Sequence, residues 1–181
     1  MATNNPVPEK IRNYNVYKGP TATQRMIGMG AEMTLPDFAF STEEISGAGI
    51  AGSYESPNQG HTASVAMTIP FRLIGRENLE IAEGDIADLI IRAGMQSTDT
   101  ASGQIIEQGL VVNVRGPVKR INMGTVSVGA PQNAEIEIEV YYFKADQDNE
   151  GDLFTLIELD KQNFVYIVNG VDKFANLRRY I

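Results

Sequence analysis

Three stretches of this chain have residue types and spacings that could do chemistry. Residues 47–52 read GAGIAG, so Gly47, Gly49 and Gly52 form the G-x-G-x-x-G pattern of a dinucleotide-binding turn. Glu135, Glu137 and Glu139 alternate along EIEIE. Carboxylates on one face of a strand stand about 7 Å apart, close enough for acid–base work or for a hard cation. Glu43-Glu44 is a second carboxylate pair, and His61 is the single histidine.

Each reading depends on the elements around it. A dinucleotide turn needs a buried strand leading in and a helix leading out to hold the pyrophosphate. Here the lead-in STEEIS is charged, and the lead-out SYESPNQGHT carries Pro57 and no helical period. The glycines therefore read as part of a long loop over 46–60, which includes Tyr54 and Glu55 and must turn or lie close against another surface. No histidine and no arginine stands near the glutamate row in sequence, so a solvated strand face is preferred to catalysis or metal binding. Three like charges along one strand make more sense if that face lines a water-filled, negative passage. His61, between Gly60 and Thr62, reads as a solvated loop side chain.

Composition narrows the classes. The 181 residues fit one domain, and 43% hydrophobic with 21% charged residues is ordinary for a folded chain. The absence of cysteine excludes disulfides and thiolate metal sites. Fifteen basic against 23 acidic residues, net charge -8, argue against a phosphate-gripping surface. The N-terminus has no apolar core of a signal peptide, and no apolar run approaches the roughly 18 residues of a membrane helix. The expectation is a soluble product that stays where it is made.

The periodicity predicts a mostly β protein. Residues 62–71 alternate, with Val65, Met67 and Ile69 on one face and Thr62, Ser64, Ala66 and Thr68 on the other. Residues 110–119 form a strand that Gly116 and Pro117 bend, and residues 135–143 form another. Residues 145–152 are an acidic turn, LFTLIEL is a strand, and Asn169-Gly170 is a turn near the end. The one helix is expected over 83–94, where Ile86, Leu89, Ile90 and Ala93 make a helical stripe that Gly94 caps. Residues 95–104 come next as a polar linker. The sum is seven or eight strands and one helix, a sandwich or partly open barrel.

Several stretches, in order along nearly the whole chain, carry a resemblance: PEKIRNYNVYKGP, TLPDFAF followed by EISGAGIAG, VVNVRGPVKRINMGTVSVG with EIEIEVYYFKAD, and IVNGVDKFANLRRYI. Together they resemble the major tail tube protein family of contractile-tailed phages and phage-tail-like (R-type) bacteriocins. The departures are a longer lead over 1–7 and a polar stretch over 97–103. The resemblance implies one tail-tube domain over 1–181, with residues 1–10 as an N-terminal arm. It further implies an antiparallel β-sandwich or half-barrel with one packed helix, whose inner strands join into a continuous barrel in a hexameric ring.

Rings would stack into a tube inside a sheath, with tape-measure and baseplate proteins as further partners and DNA only as passing cargo. The resemblance implies no enzymatic activity, no cofactor, no metal and no membrane anchor. It places assembly in the bacterial cytoplasm and the product in a virion tail or a released particle. Glu135, Glu137, Glu139, Thr62, Ser64 and Thr68 become candidates for the lumen face. Gly47, Gly49, Gly52, Tyr54, Glu55, Arg178 and Arg179 become candidates for contacts between subunits or rings. Two alternatives stand beside this: the tube of a bacterial secretion system carrying effectors, and a ligand-binding β-barrel.

Overall fold

Apolar and polar residues alternate through the long segments, and these resolve into strands of two packed antiparallel sheets. A computed structural model describes residues 6–22 and 24–181. In chain order the elements are β1 (Val7–Lys18), β2 (Gln24–Met26), β3 (Phe40–Ser46), β4 (Ser53–Thr62), β5 (Ala66–Phe71), α1 (Arg76–Leu79) and a 3-10 turn (Glu80–Ala82). Next come β6 (Ala87–Thr98), β7 (Ile105–Gly116), β8 (Val118–Asn122), β9 (Ala134–Glu139) and β10 (Tyr142–Asn149). The chain ends with β11 (Asp152–Asp160), β12 (Val165–Val168), β13 (Val171–Asp172) and a 3-10 turn (Leu177–Arg179). Of the expected arm over 1–10, residues 1–5 lie outside the described residues, and Val7 to Lys10 begin β1.

The large sheet has the order β13-β12-β11-β10-β7-β6-β1-β2, the small sheet β5-β9-β8, and β3 and β4 form a separate ribbon. Two chain segments pass between the sheets side by side. β7 leaves the large sheet at Gly116 and continues as β8, while β9 leaves the small sheet and continues as β10. Backbone bonds Glu139 N–H to Pro117 O (2.9 Å) and Tyr141 N–H to Arg115 O (2.9 Å) lock the crossing. The bend expected at Gly116-Pro117 is this corner.

Between the sheets lies the core. Val65, Met67, Ile69, Phe71, Ile136, Ile138 and Val140 come from the small-sheet side, and Val16, Leu89, Ile91, Val112, Val114 and Phe143 from the large sheet. Burying each such side chain fully is worth about 1.5–3 kcal/mol against exposure. A smaller cluster, Leu159, Tyr166 and Phe174, closes the C-terminal end.

The helix expected over 83–94 is corrected: that stretch is a turn followed by strand β6. Ala87, Leu89, Ile91 and Ala93 all face the core side, but Ile90 on the opposite face is also only 7% exposed. Burial on both faces produced the run Leu89-Ile90-Ile91, which satisfies a helical stripe as well as a strand. Ile86, the first residue of the supposed stripe, is 55% exposed. The linker over 95–104 is corrected too, since β6 runs on to Thr98 and β7 begins at Ile105. The helical turn that does exist, α1, is four residues long and has no fully buried residue of its own. The adjoining 3-10 turn anchors it by placing Ile81 in the core.

Candidate functional site

The glutamate row sits where the small sheet meets solvent. In β9, Ile136 and Ile138 are fully buried, so Glu135, Glu137 and Glu139 must point outward. Register places Thr68 of β5 and Arg120 of β8 on either side of Glu137. The absence of a nearby arginine, expected from sequence, is corrected. Arg120 Nε lies 2.9 Å from Glu137, and its terminal nitrogen lies 3.9 Å from Glu135. Lys119 Nζ lies 3.4 Å from Glu139 and 3.9 Å from Glu137.

Consecutive residues of a regular strand face opposite ways, so Lys119 and Arg120 reach one face only because of an irregularity. The register shifts between Val118 and Arg120, leaving Lys119 as the extra residue of a bulge. Three carboxylates are thus compensated by two cations. Ser64 Oγ donates to Glu139 at 2.7 Å, and the Val65 N–H donates to its other oxygen at 3.1 Å. These bonds, the Ser64 hydroxyl foremost, hold the Glu139 carboxyl below its ordinary value. Exposed ion pairs of this kind are worth about 0–1 kcal/mol each.

Five of the six lumen candidates therefore share a neighbourhood: the three glutamates, Ser64 and Thr68. Thr62 does not join them. It ends β4, and its buried hydroxyl oxygen is without a partner among the described residues. The expected wall strands also divide, since β5 and β9 belong to the small sheet and β7 to the large one. They do not present one continuous face.

The glycine segment is the tip of a ribbon. Ser46 pairs with Ser53, and residues 47–52 close the turn with Ile50 N–H bonded to Gly47 O at 3.1 Å. Gly49 and Gly52 take φ of 90° and 106°, a region that L side chains rarely adopt, and open space surrounds both. The long loop over 46–60 is thus corrected to a six-residue turn, because residues 53–60 belong to β4. Pro57 disguised that strand; a two-stranded ribbon has free edges where a proline is tolerated. Tyr54 is 57% exposed, and Glu55 stands opposite Glu44. An isolated two-stranded ribbon is marginally stable in water. Residues 37–60 hold Asp37, Glu43, Glu44 and Glu55 and no lysine or arginine.

The base of the ribbon is held by aromatic rings. Gly60, at φ 82°, lies directly under the Phe174 ring. Phe174 stacks on Phe164 at 4.2 Å, and His61 meets Phe164 at 5.6 Å. His61 is exposed, as expected, but on a strand rather than in a loop. Arg178 folds back on the body: it pairs with Asp172 and donates to Phe164 O at 3.0 Å. Arg179 stands beside it in the closing 3-10 turn and is exposed.

Sequence reading missed a polar row on the second face of the large sheet. Arg115 lies over the Tyr142 ring at 4.2 Å, and the Tyr142 hydroxyl donates to Glu158 at 3.2 Å. Burial, then the Glu158 charge, pushes the Tyr142 hydroxyl up to about 12. Asp146 is 3% exposed, with Lys144 at 3.1 Å and the Thr155 hydroxyl at 2.8 Å. These groups come from three strands whose pairing no local pattern announces. Among the described residues, no group of three or more His, Asp or Glu is arranged to hold a metal ion, and no helix is long and apolar enough to cross a membrane.

Comparison with known proteins finds similarity at the levels of family, sequence and structure. A family model described as phage tail tube protein FII matches residues 8–181. The tail tube protein of Escherichia phage P2 is 28% identical over 181 residues, spanning 97% of this chain and 98% of that protein. A chain from an extracellular contractile injection system, the PVC sheath–tube complex in its extended state, aligns with a TM-score of 0.44 and 14% identity. That alignment covers 82% of this chain and 90% of the other.

Proposed function

Because the chain belongs to the phage tail tube protein FII family, we propose that it is the structural subunit of the inner tube of a contractile injection device. Six copies form a ring, rings stack into a hollow tube within a sheath, and the lumen conducts DNA or ions without binding them. The family is structural rather than enzymatic. The observation that carries this reading is the extent of the match, which runs over residues 8–181. The exposed β3–β4 ribbon supports it, since such a ribbon gains stability from docking on a neighbouring copy. A net charge of -8 suits a conduit that phosphates slide past.

Two faces compete for the lumen. One is the glutamate face of the small sheet; the other is the polar face of the large sheet, which carries Asn15, Arg92, Asn113 and Lys144. The 12-residue strands β1, β6 and β7 favour the second, because long strands with open edges make the better wall.

Electron microscopy of the purified chain tests the main reading. Rings or hollow tubes are expected; a 19.8 kDa monomer under all assembly conditions overturns it.

A further inference from the structure

The β3–β4 ribbon is a sheet of its own, laddered to neither of the other two. Side-chain packing at its base therefore fixes where it points. Phe174 is the centre of that packing. Its ring lies under Gly60, stacks on Phe164 at an interplanar angle of 7°, and meets His61 and Tyr166 at 6.0 Å each. Tyr166 in turn meets Phe40 of β3 at 5.4 Å.

Two features leave this base short of its best energy. Phe164 takes φ of 56°, a left-handed conformation that a bulky side chain rarely adopts. The Thr62 hydroxyl is buried without a partner among the described residues, which costs its lost hydration. Strained conformations persist only where their surroundings hold them. Here the holding group comes from the C-terminal segment. Arg178 Nη1 donates to Phe164 O at 3.0 Å, and its other terminal nitrogen pairs with Asp172. The second oxygen of Asp172 accepts the Phe174 N–H at 2.9 Å, and Phe174 O accepts the Arg178 N–H at 3.0 Å. One guanidinium thus ties the strained turn to the backbone that carries the central ring. None of these bonds reaches the ribbon.

We propose that residues 172–178 are a latch on the ribbon. Arg178 is its positioning residue: acting through Phe164 and Phe174, it holds the base closed, and its release frees the ribbon while both larger sheets stay intact. The ribbon then has two states, placed and free, and the C-terminal segment chooses between them. The Arg178 side chain is 39% exposed, so a carboxylate arriving from outside competes with Asp172 for it. Arg178 therefore acts on the ribbon of its own copy. Any effect on assembly rests on the tube reading above, whereas the latch belongs to the free chain.

Hydrogen exchange of the free chain tests it, so failure of the latch is distinguishable from failure of the tube reading. Arg178→Ala raises exchange of the ribbon amides, residues 40–62, about tenfold, the loss expected for a hydrogen bond to a charged group. Amides of β6 and β7 keep their protection, and Arg179→Ala, in the same turn, changes nothing. In a Phe174→Ala background, Arg178→Ala adds no further ribbon exchange, because the coupling runs through that ring. An unchanged ribbon in Arg178→Ala overturns the latch. So does a rise shared equally by β6 and β7, or independent addition of the two substitutions. If Arg178→Ala does not fold, Asp172→Asn serves instead, since it keeps an acceptor for the Phe174 N–H and gives up the charge. It raises exchange in the same residues to a smaller extent, and no rise there overturns the latch as well.

Discussion

Gly116 and Glu139 approach so closely that a β-carbon on Gly116 would overlap the Glu139 carbonyl oxygen. The contact is backbone against backbone, so no flexible side chain can yield. Gly116→Ala must therefore open the corner where both chain segments change sheets. We expect a loss of roughly 1–3 kcal/mol, as for an overpacked core, which lowers the melting temperature of a domain this size by about 2–4 °C per kcal/mol. Thermal melting of the monomer measures it; an unchanged midpoint would show that the corner tolerates a side chain.

Phe174 ties the ribbon base to the body through Gly60, Phe164 and Tyr166. Phe174→Ala is expected to cost about 3–5 kcal/mol and to loosen β4 first. Limited proteolysis should then cut within residues 40–62 before any other segment. Cleavage elsewhere first would refute this anchoring role.

Replacing Gly47, Gly49 and Gly52 together with valine is expected to block tube assembly while the monomer stays folded. The space around all three is open, so the core is not disturbed. At Gly49 and Gly52 the strain of positive φ, on the order of 1–2 kcal/mol per residue, falls on the ribbon tip alone. Sedimentation of the variant decides: normal polymerisation means that the tip is no assembly element.

Glu139 should make stability pH-dependent. Its folded-state carboxyl is held below the ordinary 4.5, mainly by the Ser64 hydroxyl. A depressed folded value means that the contribution is complete above pH 4.5 and is lost as pH falls below it, through the folded value. Melting curves from pH 7 to 3 for wild type and Glu139→Gln should converge at the acid end. Parallel curves would contradict the assignment.

The two candidate lumen faces give opposite expectations for tubes in a lipid bilayer or across a membrane pore. If the large sheet is the wall, Arg92→Glu shifts ion selectivity toward cations and Glu137→Gln leaves it unchanged. If the glutamate face is the wall, the reverse holds. Arg92 is exposed and lies 5.7 Å from the Tyr17 ring, so its replacement spares the core.

The legible parts of this fold were those where one strand face is buried and the other wet. EIEIE could only be read one way, and β9 buries Ile136 and Ile138. Asn169-Gly170 was readable as a turn because both residues adopt left-handed φ, 51° and 74°, as a two-residue hairpin demands. Reading failed where burial was two-sided, at Ile90, and where a proline stood in an exposed ribbon, at Pro57. It failed again over the cations of the glutamate row. Lys119 and Arg120 are distant in sequence from Glu135, and only a bulge puts both on its face. Most of the fold class was thus visible locally, while the charge balance of the site depended on pairing between strands.

The paired crossing at Gly116 and Glu139 also bears on how the subunit is made. β1 pairs with β6 and β5 with β9, each across a long separation in sequence. Loop closure for such pairings must come before their reward, which slows folding. Since both sheets share the same two crossing segments, neither can be completed while the other is unformed. Folding should therefore be a single late event that requires chain through β10, and a truncated chain ending before Tyr142 should expose both apolar faces together. In a cell producing many copies, subunits would reach the growing tube finished or not at all, with the chaperone burden falling on the interval before β10 is synthesised.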